Sequence, residues 1–334
     1  MQSKEAKEKV DLAISKWLID ASIPFNAANS AYYQSMFDAA CSYGTGYKAP
    51  NFYDLCGYLL IKNVEQVKNF VDSFRSTWKE IGCTIMADEW TDQERRTLIN
   101  FLAYCPRGTI FLKSVDALDN SKTADMLYKL FREVVLFVGV EHVVHVVTDN
   151  AANYVAVGRL LERKFPTLYW SPCAAHYLNL MLQDVGKLDE DALRAMVTSK
   201  EWTLSAYAKE SKAKRLVDSD ERPSMGYLYA AMHKAREELL KRFAKRKKRV
   251  DTYLNIIVSR WDNQLHKNVH AAGFWLNPAY QYDSTELEKH RYTTSGLLDV
   301  IEKYSYENSD LMTHLTSEMK LFVKLKVILE EFLQ

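Results

Sequence analysis

Cys83-Thr84-Ile85-Met86-Ala87-Asp88-Glu89-Trp90 and His142-Val143-Val144-His145-Val146-Val147-Thr148-Asp149-Asn150-Ala151 decide the fold. Each is a run of β-branched and apolar side chains that closes on polar residues, the pattern of a buried strand. Between them, residues 96–104 and 109–115 read as two more strands, with a hairpin turn at Pro106-Arg107-Gly108. A helix over 123–137 follows, carrying Leu127, Leu130, Phe131, Val134 and Val135 on one stripe. Three strands joined by short turns form an antiparallel meander. The helical crossover then brings the fourth strand back parallel to the first. A helix over 153–164, a short fifth strand after Pro166-Thr167-Leu168-Tyr169-Trp170 and a helix opening at Cys173-Ala174-Ala175-His176 complete the stretch. The expected sheet is mixed, in the order 3-2-1-4-5.

In that order Asp88 and Asp149 lie side by side at the carboxyl ends of neighbouring parallel strands, where open α/β sheets place their ligand sites. Two carboxylates there repel unless they share a cation. Hard cations such as Mg²⁺ or Mn²⁺ take oxygen ligands and leave positions for phosphate, so metal-assisted phosphoryl transfer is the sharp reading. The bland one stands beside it. Asp149, in Thr148-Asp149-Asn150, is also a fitting N-cap for the helix that follows. Cys173 and His176, spaced i, i+3, share a helix face and give half a zinc site, but no second pair with ligand spacing follows.

Composition narrows the class. The chain has 334 residues, 48% of them hydrophobic, enough for a sizeable core in two or three domains. With 44 Lys and Arg against 43 Asp and Glu, attraction to nucleic acid has to come from local patches. Five cysteines (Cys41, Cys56, Cys83, Cys105, Cys173), with no CxxC pair, suggest free thiols in a reducing compartment. The first twenty residues lack a signal-peptide core, and no apolar run reaches the roughly 20 residues of a membrane span. The expectation is a soluble intracellular protein without a membrane partner.

Upstream of the sheet, helices are expected over 4–22, 31–43, 53–60 and 64–81, the last on a stripe of Val67, Phe70, Val71, Phe74 and Trp78. From Asp189 onward the pattern is nearly all helical, including 232–250, 296–304 and 309–333. Seven of the nine residues from Lys241 to Arg249 are basic: Lys241, Arg242, Lys245, Arg246, Lys247, Lys248 and Arg249. Such a run neutralises phosphates, serves as a nuclear localisation signal, or simply keeps a helix face wet.

Ala87-Asp88-Glu89-Trp90-Thr91, Val147-Thr148-Asp149-Asn150-Ala151, Trp170-Ser171-Pro172-Cys173-Ala174-Ala175-His176-Tyr177-Leu178-Asn179-Leu180 and the segment from Arg260-Trp261-Asp262 to Trp275-Leu276-Asn277-Pro278 resemble one family. They look like the hAT superfamily of DNA transposases, more narrowly its plant transposase-like group carrying the domain of unknown function DUF659. The resemblance implies a ribonuclease-H-like core interrupted by a helical insertion. The fold class is then α/β plus all-α, with an N-terminal helical segment (1–80), the core (81–187) and a shortened insertion domain (188–334). It makes Asp88 and Asp149 catalytic or vestigial metal ligands, and Cys173 and His176 DNA-positioning residues beside the pocket. The basic residues from Lys241 to Arg249 join the DNA-positioning set.

The same resemblance exposes departures. The family's third carboxylate, expected in a Cys-Glu-Arg-Asn-Trp pattern, has no counterpart here, nor have the BED zinc-binding module and the C-terminal dimerisation segment. After Trp202 the chain runs directly through Lys212-Ala213-Lys214-Arg215 to Pro223, shorter than the insertion such enzymes carry. Losing one of several cooperating groups removes most activity. The expectation is a domesticated or decayed transposable-element product: nuclear, catalytically inactive, binding DNA or protein partners, with oligomeric state left open. The alternative is a metal-dependent transposase or nuclease fragment whose third acid is Asp184, Glu190 or a partner chain's residue.

Overall fold

The computed structural model describes residues 4–117, 123–188, 224–242, 247–281 and 292–333. Two compact units emerge, residues 1–68 and 69–334. The first holds α1 (Lys4–Asp20), α2 (Ala31–Tyr43) and the turn α3 (Phe52–Asp54), with α4 (Leu60–Asp72) beginning near its end. Ser30 caps α2, its side chain accepting from the Tyr32 amide, and Asn51 and Asp54 cap α3 reciprocally. Gly44, at positive φ, ends α2.

The helix expected over 64–81 is broken. Ser73 and Phe74 separate α4 from α5 (Arg75–Ile81). Ser73 Oγ donates to the Phe70 carbonyl at 2.7 Å, a side-chain bond that competes with the helical ladder. Arg107, from a hairpin turn, donates to the Ser73 carbonyl at 2.7 Å and stacks over the Phe74 ring. The local stripe pattern carried no sign of this long-range partner.

The sheet has β1 (Cys83–Thr91), β2 (Thr97–Cys105), β3 (Gly108–Asp116), β4 (Val143–Thr148) and β5 (Tyr169–Pro172), ordered β3-β2-β1-β4-β5. β1 pairs antiparallel with β2 and parallel with β4, and β4 parallel with β5, as the meander-plus-crossover reading requires. Between them run α6 (Ala124–Val138) and α7 (Ala152–Lys164). Gly82, at φ 73°, turns α5 into β1 with the Val144 side chain so close that a Cβ would meet it at 2.8 Å. One face of the sheet buries Ile85, Phe101, Val146 and Trp170 against Phe131, Val135, Tyr154 and Val157 of α6 and α7. Phe131 sits edge-on to both Phe101 and Tyr154.

The remaining helices are α8 (Ala174–Leu188), α9 (Ser224–Arg242), α10 (Lys247–Ile257), α11 (Asn268–Trp275), α12 (Pro278–Gln281), α13 (Tyr292–Tyr304) and α14 (Ser309–Leu333). Of the basic helix expected over 232–250, residues 232–242 are helical in α9 and 247–250 in α10, and residues 243–246 lie outside the described residues. A π-helical turn, Val258–Leu265, continues α10, and Arg260 on it grips Asp184 of α8 through Nε at 2.8 Å and a terminal nitrogen at 2.7 Å. Tyr229 lies at the centre of a second core with Trp261, Leu265 and Phe274. At the edge of β5, Glu162 accepts from Lys303 Nζ and from the Trp170 amide, while Tyr169 donates to the Asp299 carbonyl. These bonds clamp α13 to the sheet. No helix among the described residues is long and apolar enough to cross a membrane.

Candidate active-site edge and the adjoining cavity

The parallel register pairs Met86 with Val147. Two residues past that pair stand Asp88, still within β1, and Asp149, one residue beyond β4, so continued alternation puts both carboxylates on the face that Met86 and Val147 share. Asp88 is exposed and Asp149 half-buried. Burial pushes the Asp149 carboxyl above its usual range, His176 opposes that rise, and the charges of Asp88 and Glu89 add to it. Asp149 is not a helix cap. Ala151 takes the N-cap position of α7 with no side-chain bond, and it is Asn153 Oδ1 that accepts from the Tyr154 amide. The capping alternative is therefore not realised, which leaves the Asp149 carboxylate available to the sheet edge.

Glu89 was not anticipated. Alternation sends it to the face opposite Asp88, where Tyr154 Oη donates to its Oε2 at 2.8 Å. Burial, then that bond and the charges of Glu89, Asp149 and Asp88, hold the Tyr154 phenol far above its ordinary range. The edge thus collects three carboxylates and a phenol that keeps its proton. Oxygen donors of this kind are the type a hard cation takes, and Glu89 is already engaged by Tyr154. Among the described residues, no three His, Cys, Asp or Glu side chains gather as a metal cage.

The Cys173–His176 turn follows β5. The Cys173 amide donates to the Thr148 carbonyl at 2.7 Å, tying the turn to the end of β4, one residue before Asp149. His176 is exposed and close enough to Asp149 for its charge to act there. Cys173 instead lines an adjacent cavity. Asp184 is paired to Arg260 and Lys187, which hold its carboxyl below the ordinary range, Arg260 first. Glu190, Trp202, the 212–215 run, Lys245 and Arg246 lie outside the described residues. Lys241 is exposed near the end of α9, Arg242 is its last residue, and Lys247, Lys248 and Arg249 open α10.

Residues 50–198 match the family model of a domain of unknown function, DUF659. The matched stretch spans all five strands, Asp88, Asp149, Cys173 and His176, and at a coarse level it fits the transposase-related resemblance. No curated protein matches the chain.

On the same face as Asp88 and Asp149, toward the other end of the strands, a cavity of about 690 Å³ lies between the sheet and helices α9 and α11. Thr84, Met86, His145 and Val147 form its floor. His145 is 6% exposed and hydrogen-bonds through Nε2 to Ser171 Oγ at 2.8 Å. Burial, with the charge of Lys303 added, pushes its pKa down to about 4. The one sequence signal was a histidine set among valines in an otherwise apolar strand. Nothing local indicated its neighbours across the cavity.

Proposed function

We propose that this chain is a transposase-derived module with a ribonuclease-H-like core, which binds DNA in the nucleus without cutting it. The observation that carries this reading is the placement of Asp88 and Asp149. They lie just past the paired stretch of two adjacent parallel strands in a 3-2-1-4-5 sheet, with the Cys173–His176 turn anchored beside Asp149. The DUF659 match over this stretch supports it.

A Mg²⁺ or Mn²⁺ ion held by Asp88 and Asp149 would supply a positive centre for a phosphate group. The chain's own contribution is to fix the two carboxylates on one face, keep Glu89 turned away on Tyr154, and present His176 at the rim. Cleavage by a two-metal clamp asks for further acidic ligands, and the family's third-acid pattern is missing from the sequence. The basic residues of 241–249 supply phosphate neutralisation, which orients a duplex without reading its sequence.

The second reading, a metal-dependent nuclease, is favoured by the oxygen-only donor pair. A single experiment separates the two. Wild type and the Asp88→Ala, Asp149→Ala double variant are incubated with labelled duplex DNA and Mn²⁺ over a range of salt. Salt-sensitive binding, equal in both proteins and without nicks, is the expected result. Nicking that disappears in the double variant would establish the nuclease instead, and absence of binding would point to protein partners.

A further inference from the structure

The cavity on the sheet face has a wall chemistry of its own. It is lined by Met86, Val147, Met225, Leu228 and Leu276 and by small residues at the start of α8, and no Asp, Glu, Lys or Arg contributes to the lining. Such walls disfavour a charged guest, because a charge brought there loses its hydration with nothing to replace it. Its volume of about 690 Å³ falls within the range of small-molecule sites.

Neutral polar side chains (Thr84, Tyr104, Tyr227 and Asn277) also reach the lining, and two buried histidines face it. His270, 3% exposed, lines the cavity from α11. Its Nδ1 accepts from the Lys267 amide at 3.1 Å, so the neutral ring carries its proton on Nε2. That N–H has no partner among the described residues. His145 stands opposite on the sheet, with Nε2 committed to Ser171 and Nδ1 unpartnered among the described residues. Burial keeps both rings neutral at physiological pH, with Lys303 adding to the effect at His145, and His145 and His266 adding to it at His270. A hydrogen-bond donor held in an apolar chamber costs stability unless something accepts from it. The close crossing of α9 on α11, where Gly226 meets the Gly273 backbone, fixes the roof of the chamber above them.

We propose that this cavity is a binding site for an uncharged, largely apolar ring compound that accepts a hydrogen bond from His270 Nε2–H.

Met86 and Met225 provide the reporters, since both line the cavity. The whole chain, labelled with methyl-¹³C methionine, is titrated with quinolin-2-one, a neutral bicycle with a carbonyl acceptor. The Met86 and Met225 methyl resonances, assigned with Met86→Leu and Met225→Leu, are expected to shift and saturate with a Kd below about 1 mM. Met36 in α2 is expected to stay in place. Quinoline-2-carboxylate, of similar shape but anionic, is expected to bind at least tenfold more weakly. His270→Phe, which keeps a ring but removes the donor, is expected to weaken quinolin-2-one about fivefold. Should that variant fail to fold, Ala175→Leu narrows the cavity without touching the donor and is expected to weaken binding as well. Absence of saturable shifts up to the probe's solubility overturns the proposal. So does equal binding of the anion, or an affinity unchanged by both His270→Phe and Ala175→Leu.

Discussion

Lowering the pH from 7.5 to 5.0 tests the buried histidines directly. His145 and His270 are held neutral by burial, His145 at about 4 and His270 at about 3, against 6.5 for an ordinary histidine. The charged or titratable groups acting on them are Lys303, Lys267 and His266, and the cationic ones further disfavour protonation. In both rings the folded pKa lies below the unfolded one. The unfolded chain therefore binds more protons below pH 6.5, and stability falls as pH drops from 6.5 toward 4. At pH 5.0 the unfolded rings sit one and a half units below their pKa while the folded rings remain neutral. At about 1.4 kcal/mol per unit, each histidine then removes about 2 kcal/mol. Because His145 contributes to the shift of His270, about 4 kcal/mol is the upper bound for the pair.

Urea unfolding followed by tryptophan fluorescence measures the loss. With an m-value of about 3 kcal/mol/M for a unit of this size, each histidine moves the midpoint by about 0.7 M. His145→Gln keeps a partner for Ser171 but cannot titrate in this range. Its midpoint is expected to fall about 0.7 M less than that of wild type between the two pH values. Parallel curves for the two proteins would refute the reasoning, since they would mean that His145 is hydrated or already protonated in the folded state.

Gly226→Ala would drive a methyl to 2.4 Å from the Gly273 carbonyl oxygen, a backbone atom that cannot rotate away. Despite a helix-propensity gain of about 1 kcal/mol, a net loss of about 2 kcal/mol is expected in urea titrations. Asp149→Asn removes a repelled, half-buried carboxylate, so at pH 8 without divalent ions it is expected to stabilise by up to about 1 kcal/mol. Mn²⁺ should raise the melting temperature of wild type and leave the Asp88→Asn, Asp149→Asn variant unmoved; equal responses would count against a metal pair. Asp184→Asn breaks the charged double contact with Arg260 and is expected to lower the melting temperature, with DNA binding unaffected.

Much of the core was determined by the sequence alone. Apolar runs of period two, a tight hairpin and one amphipathic crossover leave few alternatives to the order 3-2-1-4-5, because parallel strands require a crossover and the meander does not. That order places Asp88 beside Asp149, and the helix over 309–333 was likewise evident from its own periodicity. Tertiary structure decided what depends on partners distant in the chain. Arg107 bonds to the helix break at Ser73 from 34 residues away, and Tyr154, 65 residues away, engages Glu89 on the face that strand alternation gives it. His145 meets His270 across the cavity because α11 is held in place by α9, through Gly226 and Gly273, and by α13, through Gly296 and Ala271, with Lys303 and Tyr169 clamping α13 beside β5. Local periodicity determines which face a residue occupies. The chemistry of that face belongs to whatever the rest of the chain brings against it.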